Sequence, residues 1–345
     1  MSARLVSRRA WLVLIVLAVL LAVSAIVSAG IGSVRIHPVE TAKVIWHHLG
    51  GSVTVDPAYD SIVWGLRLPR IALAILVGAA LALAGVLMQA LFHNPMADPY
   101  IVGVSSGAAF GAVLVVALGL NVAVGMFSLM PLAAFAGGLA TTFLVYSLAR
   151  RAGRVPIGTL LLTGIAIGAL MQAVTSFMLL QQGSNELRQV MSWLMGSLDG
   201  RQWSHVLGLL PYTGVGLLMV VILQRDLNVL ALGDETAHYL GVNIERSKFL
   251  LLLVASLLAA AAVAVSGIIA FVGLIIPHLM RLIVGPNHRV LLPACLLCGG
   301  LLLVWADVIA RSLLPGTELP IGIVTSVLGS PFFLYLLNRK EAKGH

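Results

Sequence analysis

Residues 225–248 read RDLNVLALGDETAHYLGVNIERSK, from Arg225 to Lys248, a polar island between two strongly apolar runs. It carries seven of the chain's charged residues, which comprise 21 Lys and Arg and 13 Asp and Glu, and it ends in a basic pair, Arg246 and Lys248, directly before the apolar run 249–265. Charge is expensive in hydrocarbon, so the island marks a water-facing loop between membrane-crossing segments. Basic residues flanking such a segment favour the cytoplasmic side. A loop in that position is where a soluble partner can act on a membrane protein.

Outward from this loop the composition agrees. The 345 residues are 60% hydrophobic and 10% charged, with a mean hydropathy of +1.04, which leaves too little polar surface to cover a soluble globule. A spanning helix needs about 20 apolar residues to cross roughly 30 Å of hydrocarbon, and it satisfies its backbone internally. Segments of this kind fit near 11–31, 69–92, 99–119, 124–149, 157–182, 203–224, 248–268, 272–284, 290–311 and 320–338. The expected fold class is all-α: a polytopic membrane protein with about ten transmembrane helices, forming a single domain over 1–345. The eighth segment is short and contains Pro277 and His278. An amphipathic piece, 185–198, is too polar to span and is expected at the outer interface.

The formal net charge of +8 is scattered through short turns, so it reports topology rather than a nucleic-acid surface. Cys295 and Cys298 sit three apart in an apolar run with no histidine or carboxylate beside them; neither a disulfide nor a metal site is expected. The apolar run 11–31 is longer than a signal-peptide core, so it is expected to stay as a first anchor although Val27-Ser28-Ala29 resembles a cleavage site. An even number of crossings puts both termini on one side. With that side cytoplasmic, most basic residues fall inside, from Arg4, Arg8 and Arg9 to Lys343. Seven remain outside: Arg35, Lys43, Arg67, Arg70, Arg188, Arg201 and Arg311.

Several of these exceptions carry information. Arg67 and Arg70 open the second helix around Pro69, where a dipole makes positive charge mildly unfavourable. Anchoring to lipid phosphate is the plain explanation; docking an acidic surface of an external protein is the sharper one, because guanidinium grips carboxylate with two oriented hydrogen bonds. Arg311 ends the ninth helix one turn after Asp307, and an i,i+4 pair explains it. At the other end of the second helix, Asn94-Pro95-Met96-Ala97-Asp98-Pro99 predicts a compact polar turn, either a mere connector or one whose Asn94 and Asp98 cap or gate an inner opening. Glycines at spacing four, Gly103, Gly107 and Gly111, then Gly164 and Gly168, predict close helix packing. Gln172, Thr175 and Ser176 form a polar patch that faces either other helices or a water-filled path.

The stretch Leu66-Arg-Leu-Pro-Arg70, with Gly78, Gln89, Asn94 to Pro99 and Gly103-Val-Ser-Ser-Gly107, resembles the FecCD-like permeases of ABC importers for iron-siderophores, heme and vitamin B12. Gly267 to His278, Arg281, Asp307, Arg311 and Glu318-Leu-Pro-Ile-Gly322 agree, so the resemblance runs from about residue 60 to 338. It implies a homodimer of ten-helix subunits in the bacterial inner membrane, with the path on the two-fold axis, two cytoplasmic ATPase subunits below and one periplasmic substrate-binding protein above. Arg67, Arg70 and Arg311 then match residues that receive acidic side chains of the binding protein. Asn94 to Pro99 matches the cytoplasmic gate, and 151–158 resembles a second gating segment. Gln172, Thr175 and Ser176 lean toward the path. The opening island becomes the coupling loop, with two short helices around Leu232, Gly233, Asp234, Glu235, Ala237, His238, Leu240 and Gly241. Ala237 and Leu240 are expected on one face, offered to a groove.

No phosphate-binding glycine loop followed by Lys-Ser/Thr occurs, so the chain is expected to be no enzyme and to bind no cofactor; ATP and Mg belong to the ATPase subunits. An ion-coupled secondary transporter is the rival, but Asp307, near a helix end, is the one intramembrane carboxylate offered for a coupling ion. A membrane metalloenzyme lacks its ligand cluster, and His47-His48 are expected to be incidental loop residues. The expected cargo is a metal chelate, first a ferric siderophore on the family's breadth, then heme or cobalamin.

Overall fold

The computed structural model describes residues 8–32, 34–120, 123–124, 127–314 and 317–341. Arg4 and Lys343, used above for orientation, lie outside these residues. The first helix, α1 (Arg8–Gly30), is apolar all round and leaves most of its surface uncovered, as a helix bathed in lipid can. A short helix α2 (Pro38–His48) follows, capped by the His37 ring on Val39 N. Then α3 (Pro57–Asp60) runs through a π-helical turn, Ser61–Arg67, into α4 (Leu68–Leu91). The helical backbone is therefore continuous from Pro57, and Arg67 and Arg70 do not stand at a helix start. The dipole penalty expected for them is absent, because preceding turns already satisfy the N–H groups there.

The remaining elements are α5 (Val104–Ala117), a two-residue hairpin β1 (Ala123–Val124) and β2 (Phe127–Ser128), α6 (Leu129–Ala149), α7 (Ile157–Leu179), α8 (Ser184–Leu194), α9 (Trp203–Ile222), α10 (Gln224–Leu230), α11 (Asp234–Tyr239), α12 (Ile244–Ser266), α13 (Val272–Val284), α14 (His288–Ser312) and α15 (Ile321–Glu341). Among the described residues seven helical segments are long and apolar enough to cross a membrane, and three shorter apolar helices, Val104–Ala117, Val272–Val284 and Ile321–Tyr335, accompany them. The protein is nearly all helical and multi-pass, as expected.

Of the boundaries that differ from the sequence reading, two have a plain local cause. The third helix starts at Val104 rather than 99, because Gly103 takes φ 88° and the turn before it spends its backbone on local bonds. The interfacial helix stops at Leu194, short of 198, because Gly196 turns left-handed with φ 73°.

Helix α4 is the axis of the core: 83% of its most apolar window is buried, against 78% for α12 and 11% for α7. It packs on α14, α12, α13 and α9. Glycine sets how close these helices come. A Cβ on Gly85 would lie 1.9 Å from Gly273 O, and one on Gly107 would lie 2.4 Å from Gly137 O. Backbones in such contact gain dispersion that larger residues would forfeit, so the glycine spacing serves packing.

Candidate functional site

Two polar constructions sit at opposite ends of α4, about 36 Å apart by helix rise. At its first end a pocket of about 210 Å³ is lined by Arg67, Arg70, Arg201 and Arg311 together with Asp199 and Glu318. The loop that presents Asp199 and Arg201 is pinned by Ser197 N donating to Ser266 O, 2.8 Å. Glu318 is set by Leu319 N on Ala310 O, 2.9 Å, which folds the segment before α15 back onto α14.

The arginines are largely internal, contrary to a freely projecting docking surface. Arg67, Arg70 and Arg311 are only 6%, 8% and 8% exposed. Arg67 donates to Ala29 O at 2.7 Å and to Val34 O, tying the end of α1 to the π turn. Arg70 Nε donates to Asp307 Oδ1 at 2.6 Å, and its Nη1 donates to Glu318 Oε2 at 2.7 Å. Arg311 donates to Ser28 O at 2.7 Å, and its Nε lies 3.3 Å from Asp307 Oδ2. The i,i+4 partner expected for Arg311 is present, but Asp307 makes its shorter contact with Arg70, 237 residues away in sequence. Burial explains the pairing, since an uncompensated charge there would cost several kcal/mol. Among the described residues, the buried Nε of Arg201 has no hydrogen-bond partner, and burial, opposed by nearby Asp199, holds its pKa below the usual arginine value.

Beside this pocket, His48 stacks on Trp64 with ring centroids 3.9 Å apart and reaches Asp60 at 2.8 Å. Trp203 Nε1 donates to Trp64 O at 3.0 Å. His48 is thus part of a structured cap on the π turn rather than an incidental loop residue.

At the other end of α4, Gln89 donates to Leu274 O at 3.0 Å and accepts from Arg281 at 2.9 Å, joining α4 to α13. The turn that follows is built by side chains: Asn94 Oδ1 caps Met96 N at 2.9 Å and Asp98 Oδ1 caps Tyr100 N at 2.8 Å. Pro95, Met96, Ala97 and Pro99 complete it, with Ala97 and Pro99 buried. Desolvation pushes the Asp98 carboxyl up to about 6, against the opposing hydrogen bond from Tyr100 N, and burial also raises the Tyr100 phenol. Tyr100 Oη donates to Ile269 O at 3.1 Å, a link that proximity in sequence gives no way to anticipate.

The polar island folds as two short helices, α10 and α11, as expected, with Gly233 at φ 100° and Gly241 at φ 79° framing α11. It lies against the turn: His93 Nε2 is 3.2 Å from Leu230 O and 3.7 Å from Asp234 Oδ1. Asp234 Oδ2 takes Lys248 Nζ at 2.6 Å. Glu245 Oε2 accepts from Val155 N at 3.0 Å, which brings 151–158 to the same cluster. An open cavity of about 800 Å³ is lined by Arg154, Asp234, Glu235, His238, Gly241 and Lys248 among others. One expectation fails here. Ala237 is fully buried while Leu240 is 46% exposed, because the helix ends at Tyr239 and Leu240 turns away as its cap. The outward apolar side chains are Leu232, Tyr239 and Leu240.

On α7, Gln172 and Ser176 are exposed, whereas Thr175 is 2% exposed and donates to Met171 O at 2.7 Å. The three do not form one patch: Thr175 points inward and is satisfied by its own helix. Among the described residues no group of three or more His, Cys, Asp or Glu is placed to hold a metal, and both cysteines are free thiols.

A multi-pass helical core with a cationic pocket at one end and, at the other, the Asn94–Pro99 turn bonded to short loop helices fits a transport protein. The chain belongs to the FecCD transport family, whose model matches residues 18–339. It is 51% identical over 282 residues to a cobalamin import system permease of Halobacterium salinarum, covering 82% of this chain and 74% of that one. It is 42% identical to a hemin transport system permease of Yersinia pestis, covering 94% and 95%. A solved metal-chelate type ABC transporter in an inward-facing conformation matches with a TM-score of 0.81 at 33% identity, over 94% of this chain and 98% of that one. The chain is a permease of the ABC-importer type to which these relatives belong.

Proposed function

We propose that this chain is the transmembrane subunit of an ATP-driven importer that takes a metal chelate from a periplasmic binding protein into the cytoplasm of a bacterium, through the inner membrane and with both termini cytoplasmic. The observation that carries the reading is the continuity of α4. One rigid helix joins the arginine pocket to the Asn94–Pro99 turn, and that turn touches α10 and α11 through His93. Docking at the pocket and a push on α11 therefore act on the two ends of one element. Two packings of the surrounding helices would be biased in turn by the docked protein and by nucleotide in the ATPase subunits, which hold ATP and Mg.

A second copy of the chain supplies the other wall of the path. Helix α7 is the least covered of the long spans, and it presents Gln172 and Ser176. A glutamine facing lipid is costly, so a homodimer that turns this face toward a shared, water-accessible axis accounts for it. Arg67, Arg70 and Arg311 serve the docking end, Asn94 to Pro99 the gate, and Asp234 to Gly241 with Leu232 the ATPase contact. The relatives named for cobalamin and hemin make a corrinoid and heme the first cargoes to test, and a ferric siderophore the third.

The test is uptake by proteoliposomes holding the assembled permease, its ATPase and its binding protein. Accumulation of labelled cobalamin, heme or ferric siderophore that needs both ATP and the binding protein supports the reading. Uptake driven by an ion gradient without ATP overturns it.

A further inference from the structure

We propose that Glu318 is a built-in placeholder for the docked partner: its carboxylate occupies the outward nitrogen of Arg70 until an acidic side chain of the binding protein displaces it. The inference rests on the docking role assigned above and names the residue that sets the affinity of that docking. Arg70 has two carboxylate partners of very different character. Asp307 lies on α14 with a side chain 1% exposed and takes Nε at 2.6 Å. Glu318 lies on the extended segment before α15, 41% exposed, and takes Nη1 at 2.7 Å. The first partner is enclosed and keeps the guanidinium in place. The second stands at the rim of the pocket and is exchangeable, because an ion pair this exposed contributes little.

The pocket's charge makes the exchange productive. Four guanidiniums line it against the two carboxylates of Asp199 and Glu318. Asp199 is 70% exposed and only 3.9 Å from Arg70 Nη1, so it shares the rim without making a hydrogen bond to Arg70. An incoming carboxylate finds Arg70 still oriented by Asp307 and must compete with Glu318 alone for Nη1. Released Glu318 would then repel any partner that failed to neutralise the cluster, including the buried, unpartnered Nε edge of Arg201.

The closing experiment measures docking of the cognate substrate-binding protein to the full permease–ATPase complex in nanodiscs. Glu318→Gln should tighten binding about 2- to 5-fold, the effect of removing an exposed ion pair. Asp199→Asn removes the same charge from the same rim without freeing Nη1, and should change binding less than about 2-fold. Both variants should unfold at the wild-type temperature, since Asp307 still holds Arg70. Equal tightening in the two variants would mean a field effect of net charge, and it overturns the placeholder, as does unchanged or weaker binding by Glu318→Gln. The docking role has its own control: a charge reversal on the pocket wall, Arg201→Glu, should weaken binding, and if it does not, the pocket is not the docking site and the placeholder falls with it.

Discussion

Asp307→Asn is expected to cost the protein about 3 to 5 kcal/mol, the range for removing one partner of an enclosed ion pair. The magnitude follows from the two contacts on one carboxylate, Arg70 Nε at 2.6 Å and Arg311 Nε at 3.3 Å. With charge centres about 4 Å apart and an effective dielectric near 20, each attraction is worth about 4 kcal/mol before desolvation is charged against it. Asparagine keeps the shape and one acceptor, so the loss is mainly electrostatic. Glu318 still takes Arg70 and Ser28 O still takes Arg311, which keeps the expected cost below the gross sum. The assay is denaturant or thermal unfolding of purified protein in a mild detergent, run as a double-mutant cycle with Arg70→Gln. A coupling of about 2 kcal/mol is expected for side chains in direct contact. A coupling under about 0.5 kcal/mol, with Asp307→Asn itself costing less than about 1, would refute the claim that this pair organises the arginine end.

Gly85→Ala places a methyl 1.9 Å from Gly273 O, so α4 and α13 must separate; a loss of about 1 to 3 kcal/mol in the same unfolding assay is expected. Asp98 gives a pH signature. Its folded carboxyl keeps a proton to about pH 6 while the unfolded one releases it near 4, so folding takes up a proton in between and stability falls as pH rises through that window. Asp98→Asn retains an acceptor for Tyr100 N and should flatten the melting temperature between those pH values. Asp234→Lys breaks the 2.6 Å pair with Lys248 and sets like charges together; uptake should fall about tenfold or more while ATP hydrolysis by the partner persists, measured side by side in proteoliposomes.

The sequence carried much of the outline because the bilayer is a strict solvent. Apolar segments near the membrane's thickness, broken by Pro and Gly turns, placed most helices within a few residues, and the glycine spacing pointed to the crossing at Gly107 but not to those at Gly85 and Gly78. Local chemistry was partly legible: Gly233 and Gly241 frame the short helix expected between them, whereas the caps of Asn94 on Met96 N and Asp98 on Tyr100 N came with the structure. What failed were statements about direction. The helix ending at Tyr239 separated Ala237 from Leu240, and the satisfied hydroxyl of Thr175 separated it from Gln172 and Ser176, because a face is set by where each turn stops and what packs there.

The apolar segments and their polar breaks therefore determined, by themselves, a multi-pass helical protein interrupted by a polar island. Only the tertiary structure decided who holds the arginines. Residues 70, 307 and 318 are spread over three separate segments, and their meeting depends on α4 and α14 packing close through Gly78 and Gly299. Periodicity reads one helix at a time, whereas a buried charge is satisfied by whichever neighbour the whole packing brings within hydrogen-bond reach.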